Sequence, residues 1–277
     1  MHFIFAADNH GNLTQYKKIF NYAENKKIPL IIFGGDLTPK SPELRTPEKQ
    51  KEFLQKHLFP LIQNYYGKVL LILGNDDYKR NLNFLENTQQ EIGFSLLYHP
   101  LFIDNFYFVG YSYVPYTPFK WKDWERRDLK TDTIKNLRAD ASLTGFIDYD
   151  IPYNIINGFE NHSIEDDLEK LISDIPAGKL VLITHAPPSD TNTDLTKDSN
   201  GNLLHVGSRA IRKIIEKKQP VLSLHGHIHD TVQNSGIFPD YIGKTKCCAV
   251  SNNHIGVNPF IVEINTLPQI TVERKML

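Results

Sequence analysis

Short apolar runs of strand length alternate with amphipathic stretches of helical length along most of this chain, and that alternation limits its fold more than any other feature. The runs are HFIFAAD (2–8), PLIIFGGD (29–36), KVLLILGND (68–76), FYFVGYSY (106–113), KLVLITH (179–185) and VLSLHGH (221–227), then TKCCAVS, PFIVEI and ITVERK. Near-continuous hydrophobic runs suit strands buried on both faces, with helices as the crossovers between them. An α/β fold with a buried sheet follows. Helices are expected over 13–27 behind Asn12, over 47–65, over 163–175 behind Ser163, and over 207–218. Pro60 should kink or divide the second of these. No helical pattern separates the last three strands, so the C-terminal part should be antiparallel. Residues 113–162, dense in aromatic and charged side chains, read as an irregular surface insertion in a single domain spanning 1–277.

Composition removes several classes. A chain of 277 residues buries a sizeable core without staples. Its two cysteines, Cys247 and Cys248, are neighbours in an apolar stretch, which leaves neither a disulfide framework nor a thiolate zinc site. A formal charge of -1 gives no global field for a polyanion, so long nucleic acid is a disfavoured partner. The apolar runs fall well short of the roughly 18–20 residues of a membrane span, and the N-terminus lacks a secretory signal pattern. The expectation is a cytoplasmic protein without a membrane partner, its oligomeric state open.

Polar residues collect where the apolar runs stop. HFIFAA is followed by Asp8 and His10, LIIFGG by Asp36, and LLILG by Asn75, Asp76 and Asp77. LVLIT is followed by His185, and VLSLHG by His227 and His229. In an open α/β sheet, functional groups gather beyond the carboxyl ends of the strands, so separate segments deliver oxygen and imidazole donors to one rim. The alternating histidines of LHGHIHD (224–230) would alone also fit a strand with a histidine face; the convergence sets that reading aside. Mixed oxygen and nitrogen donors without thiolate suit Mn, Fe, Zn, Co or Ni, and Asp8, His10, Asp36, Asn75, His185, His227 and His229 exceed what one ion takes from a protein. Two divalent ions sharing one carboxylate account for them.

The blocks DNH (8–10), GGD (34–36), GND (74–76), TH (184–185) and GHIH (226–229), in this order and spacing, resemble the calcineurin-like metallophosphoesterase superfamily. HAPPSDTNTDL (185–195), HVGSRAIR (205–212), GHIHD and GKT are similar to its Icc-related bacterial and archaeal branch. The resemblance implies a four-layer αββα sandwich of two mixed β-sheets flanked by helices, with a dinuclear site at strand C-terminal ends. It implies a metal-dependent phosphoric ester hydrolase. Carried over by residue, Asp8, His10 and His229 hold one ion, Asn75, His185 and His227 the other, and Asp36 bridges both. Manganese is the natural choice for an assay. His225 has no counterpart in that set and reads as a support behind a ligand or as simple packing.

Two ions about 3.5–4 Å apart lower the pKa of a shared water, and a bridging hydroxide attacks phosphorus in line. One position departs from the pattern: relatives often carry His after the Asn of the third block, where this chain has Asp76. A carboxyl with an ordinary pKa of about 3.9 is ionised at neutral pH, so unless burial raises it Asp76 is a poor proton donor and repels dianionic monoesters. Small, nucleotide-like phosphodiesters, or esters with acidic leaving groups, are therefore the expected substrates. His205 and His254 read as surface histidines, with the missing proton donor as their alternative role. His205, Tyr113 and Trp121 are the candidate substrate contacts. The aromatic group of Tyr111, Tyr113, Tyr116, Phe119, Trp121 and Trp124 either anchors a loop or stacks a nucleobase.

Other readings fail on their own terms. GKT at 243–245 is not a phosphate loop, since position 238 is Phe and a strand follows. There is no G-x-S-x-G elbow and no reason for the cysteine pair to be nucleophilic. Two rivals on the same fold remain: a protein-interaction scaffold with a degraded site, opposed by the full ligand set, and a DNA nuclease, which calls for more basic charge.

Overall fold

The computed structural model describes residues 1–159, 162–266 and 269–277. The runs form β1 (His2–Ala6), β2 (Leu30–Gly34), β3 (Lys68–Ile72), β4 (Phe94–Leu96), β5 (Leu101–Ile103), β6 (Phe106–Tyr111), β7 (Leu180–Thr184), β8 (Leu222–His225), β9 (Asp240–Ile242), β10 (Thr245–Ala249), β11 (Phe260–Asn265) and β12 (Thr271–Met276). They make two six-stranded mixed sheets, ordered β12-β11-β1-β2-β3-β4 and β9-β10-β8-β7-β6-β5. In the first, β1 to β4 are parallel, and β11 runs antiparallel to both β1 and β12. In the second, β6, β7, β8 and β10 are parallel and the edges β5 and β9 are antiparallel.

Side chains alternate across a strand, and both faces of these strands are covered. Phe3 and Phe5 enter the core between the sheets with Ile32, Leu70, Phe108, Val181 and Leu224, whereas Ile4 and Ala6 face the helical layer. That layer holds α1 (Leu13–Asn25), α2 (Pro47–Phe53), α3 (Phe59–Asn64) and α4 (Leu82–Ile92). Over the second sheet lie α5 (Ile164–Leu171) and α6 (Arg209–Lys218), and a short helix, α7 (Thr231–Ser235), follows β8. The four-layer αββα sandwich is the architecture expected. Asn12, Ser163 and Ser208 cap α1, α5 and α6 by accepting from backbone N–H groups three residues on.

Three sequence expectations need amendment. Pro60 does not break its helix: one π turn, Leu54–Leu58, joins α2 to α3 and puts Pro60 in the first turn of α3. Of the last three strands, only β11 and β12 pair with each other as an antiparallel unit. TKCCA lies in the other sheet, parallel to β8, because α7 and β9 carry the chain back before β10 begins. The stretch 113–162 is more than surface. Trp124 is buried in the main core and its indole N–H donates to the Asp77 carbonyl at 2.7 Å, while Tyr116, Ile155 and Phe159 form a small core of their own. Residues 160 and 161 of that stretch lie outside the described ones. Among the described residues, no helix is long and apolar enough to cross a membrane.

Candidate metal centre

The turns after β1, β2 and β8 adopt backbone geometry that ordinary residues avoid. Asp8, His10, Asp36 and His227 have φ of 57°, 44°, 53° and 69°, in the left-handed region that costs a side-chain-bearing residue about 1–3 kcal/mol and recurs at functional sites. Two glycines let the turns approach one another. A Cβ on Gly35, whose φ is +98°, would lie 2.6 Å from His185 Nδ1, and one on Gly74 would collide with the Asp36 carboxylate. Asp77 fastens the loop after β2 to the loop after β3. Its buried carboxylate accepts from Leu37 N (3.0 Å), Thr38 N (2.9 Å), Thr38 Oγ1 (2.6 Å) and Gly74 N (2.9 Å).

These turns gather all seven predicted donors. Asp36 Oδ2 sits midway, 3.4 Å from His10 Nε2 and 3.4 Å from His185 Nε2. On one side His10 Nε2 and His229 Nε2 are 3.2 Å apart, and donor atoms of Asp8, His10, Asp36 and His229 all lie within 4.8 Å of one another. On the other, Asn75 Oδ1 is 3.0 Å from His185 Nε2 and 2.7 Å from His227 Nδ1. His185 Nδ1 is fixed by the Gly34 carbonyl at 2.9 Å, which aims Nε2 into the site.

Burial dominates the electrostatics at Asp8, His10, His227 and His229, whereas at His185 burial is outweighed, chiefly by the Asp36 carboxylate, and the ring is raised to about 9. Burial pushes Asp8 up to about 7, and it drives His227 and His229 down to about 3 and His10 well below the usual histidine range. Neutral imidazoles of this kind offer lone pairs. Burial opposes the charge on Asp36 too, but His185 and His10 outweigh it and hold that carboxyl well below its ordinary range. Asp8 Oδ2 and His10 Nδ1 are buried without a hydrogen-bond partner. Buried polar atoms are normally satisfied, so the orphaned oxygen of Asp8, in a group whose donor atoms lie within 4.8 Å of one another, fits a divalent cation by type.

His225 stays out of this group. It is fully buried, burial lowers it to about 3, and its Nδ1 is 2.9 Å from Thr184 Oγ1, whose own hydrogen goes to the Ala186 carbonyl. It is a packed residue behind the β7 ligand loop. His225→Gln is therefore expected to retain the full metal content of the native chain by elemental analysis, with loss of metal as the contrary result.

Asp76 lies at the edge of the site, 3.6 Å from His10 Nδ1, and its carboxylate is bonded by Arg45, with Lys40 at 3.9 Å. Burial, then Asp36, raises its carboxyl to about 6 against the pull of those cations. The expected repulsion of dianions thus loses force, because an arginine and a lysine face the same carboxylate. Sequence reading missed both cations, which come from the aperiodic loop after β2. It also misjudged His254: the ring packs 4.5 Å from His10 and 5.0 Å from His229, centroid to centroid, so it borders the site.

The aromatic candidates separate. Trp121 carries the Arg45 guanidinium 3.9 Å above its ring, and Tyr113 lines a different cavity of about 600 Å³ with Tyr98 and Trp124. Neither lines the cavity that opens on His227 and His229; Phe119 and His205 do. Tyr111, Tyr116 and Trp124 are buried and anchor the loop.

The profile of the calcineurin-like phosphoesterase family matches residues 1–231. An uncharacterised protein of Methanocaldococcus jannaschii, MJ1162, is 31% identical over 113 residues, which are 39% of this chain and 42% of that protein. The chain thus matches less than half the length of that curated relative. Among solved structures, TT1561 of Thermus thermophilus superposes with a TM-score of 0.57 at 13% identity, covering 99% of this chain and 98% of the other. A dimetal phosphatase from Danio rerio gives a TM-score of 0.54 at 12% identity over 98% of each chain. The structural likenesses bear on fold alone, but the family profile runs through every block from DNH to GHIH, and the chain belongs to the calcineurin-like phosphoesterase family, a family of metal-dependent phosphoric ester hydrolases.

Proposed function

We propose that the protein is a dinuclear-metal phosphodiesterase for small, nucleotide-like phosphodiesters. In this reading Asp8, His10 and His229 hold one ion, Asn75, His185 and His227 the second, and Asp36 is shared. Two such ions lower the pKa of a shared water and draw the phosphoryl oxygens. The donor set accommodates Mn, Fe, Zn, Co or Ni, with Mn the ion to supply first. Two free, buried cysteines suit a reducing compartment, so we place the protein in the cytoplasm as a single domain.

The observation that carries the diester reading is the cleft. A cavity of about 920 Å³ opens on His227 and His229 and is also lined by Phe119, Arg138, Thr196, Lys197 and His205. That is the upper range of small-molecule sites, large enough for substituents on both sides of a phosphorus. A small monoester would leave most of it empty. Lys40, Arg138 and Lys197 line it, but Asp140, Asp198 and Asp230 line it too and Arg138 pairs with Asp140 at 2.5 Å, so the attraction for an anionic ligand falls to the ions the donors would hold.

Phe119, half exposed and 6.5 Å from the His227 ring, takes the base-stacking role that the sequence spread over six aromatics. Phe119→Ala should raise KM for a dinucleotide about tenfold, in line with roughly 1–3 kcal/mol per stacked base. The effect on methyl p-nitrophenyl phosphate, which has no base, should be several-fold smaller; equal effects would remove the stacking role. The function itself is tested by loading metal-stripped protein with Mn and comparing bis-p-nitrophenyl phosphate with p-nitrophenyl phosphate, His185→Ala serving as the blank. Metal-dependent turnover favouring the diester is expected. Preference for the monoester would contradict the proposal.

A further inference from the structure

The position after Asn75 carries no imidazole, and the carboxylate that stands there is engaged by Arg45. A histidine does line the cleft that opens on His227 and His229. His205 ends a short hairpin, Leu195–Lys197 paired with Leu203–His205, which is pinned to the segment following His229. Thr231 Oγ1 accepts from Leu195 N at 3.0 Å, and Thr196 Oγ1 donates to Asp230 at 3.3 Å. The His205 ring is itself clamped. Its Nδ1 lies 2.8 Å from Asp194 Oδ1, and that carboxylate is fully buried and accepts from the backbone N–H groups of Asp190 (3.2 Å), Thr191 (3.0 Å) and Gly207 (3.0 Å).

A buried carboxylate locked by three amides makes a rigid acceptor. It requires the proton on Nδ1 and orients the ring, which leaves Nε2 as the nitrogen free to meet a ligand in the cleft. No residue of the hairpin uses that nitrogen. The part of HAPPSDTNTD…HVGS that follows the metal donor His185 is thereby explained: its Asp194 and His205 form one unit.

We propose that His205, positioned by Asp194, donates the proton to the leaving oxygen of the phosphodiester. The proposal rests on the phosphodiesterase reading above. Phosphorus gains an oxygen from water and loses the leaving oxygen. His205 acts as the imidazolium, its Nδ1–H held by Asp194 and its Nε2–H turned to the substrate; the leaving oxygen departs with the electron pair of the broken bond and takes the Nε2 proton, and the proton shed by the attacking water returns to Nε2.

The test compares methyl p-nitrophenyl phosphate, whose phenol leaves without help, with methyl phenyl phosphate, whose phenol needs protonation. His205→Gln should lower kcat about 100-fold on the phenyl ester, the scale of general-acid catalysis, and less than tenfold on the nitrophenyl ester. KM, metal content and melting temperature should stay close to those of the native protein, since the hairpin end is solvent-facing. Added imidazole should recover part of the phenyl-ester rate in His205→Ala, which a purely structural role would not allow. Equal losses on the two esters, or a change confined to KM, would overturn the proposal. If the native Mn-loaded protein turns over neither ester, the phosphodiesterase reading itself fails, and the inference falls with it.

Discussion

Asp36→Asn will lower metal-dependent turnover by about 10³-fold and cut the bound metal to at most one ion per chain. The expectation follows from position. Among the donors, Asp36 is the carboxylate that stands 3.4 Å from imidazole nitrogens on both sides of the site, so in the proposed assignment its charge is the one both ions would share. Asparagine keeps the shape and can still accept from Asp76 N through Oδ1, as the aspartate does at 2.8 Å, so the turn should survive. What is lost is the one negative charge that the proposed assignment sets between two dications. A loss of several kcal/mol of metal-dependent stabilisation, at about 1.4 kcal/mol per tenfold, gives the stated factor. Elemental analysis and the diester rate read it out together. A variant that retains full metal content and rate would show that Asp36 does not bridge.

Asp77→Ala will act on stability. It strands four donors, three backbone N–H groups and the Thr38 hydroxyl, in a region where the aspartate is 2% exposed. A stranded buried donor costs about 1–3 kcal/mol, and because the four relax together we expect about 3–5 kcal/mol in total. At roughly 2–4 °C per kcal/mol for a chain somewhat shorter than this one, the metal-free protein should melt on the order of 10 °C lower. Asp77→Asn, which keeps one acceptor oxygen, should lose less. Calorimetry of both variants decides it, and a shift of under 2 °C for Ala would contradict the role of Asp77 as the tie between the β2 and β3 loops.

The residues that converge were legible because they stand directly after buried strands, where position along the chain and position in space are tightly linked. Asp36 and Asn75 follow neighbouring parallel strands, and His185 and His227 follow another neighbouring pair, so the rim could be drawn from sequence alone. Arg45 and Lys40 were not legible. They lie on a loop with no periodicity, and their meeting with Asp76 depends on how that loop folds back and on the face of Trp121 that receives the guanidinium. The same holds for α4, whose LNFLENTQQEI sequence buries Leu85 fully and little else. It holds also for β10, where direction depended on the five-residue helix α7 before it. Asp76 shows the limit most plainly. Its identity was read correctly as a departure, but its consequence depends on neighbours that the sequence does not reveal.

The most direct test of the central claim is anomalous diffraction from a crystal grown with Mn. Two peaks about 3.5–4 Å apart are expected, one among Asp8, His10 and His229 and one among Asn75, His185 and His227, with Asp36 bonded to both. A single peak, or two peaks with Asp36 bonded to neither or to only one, would contradict that claim.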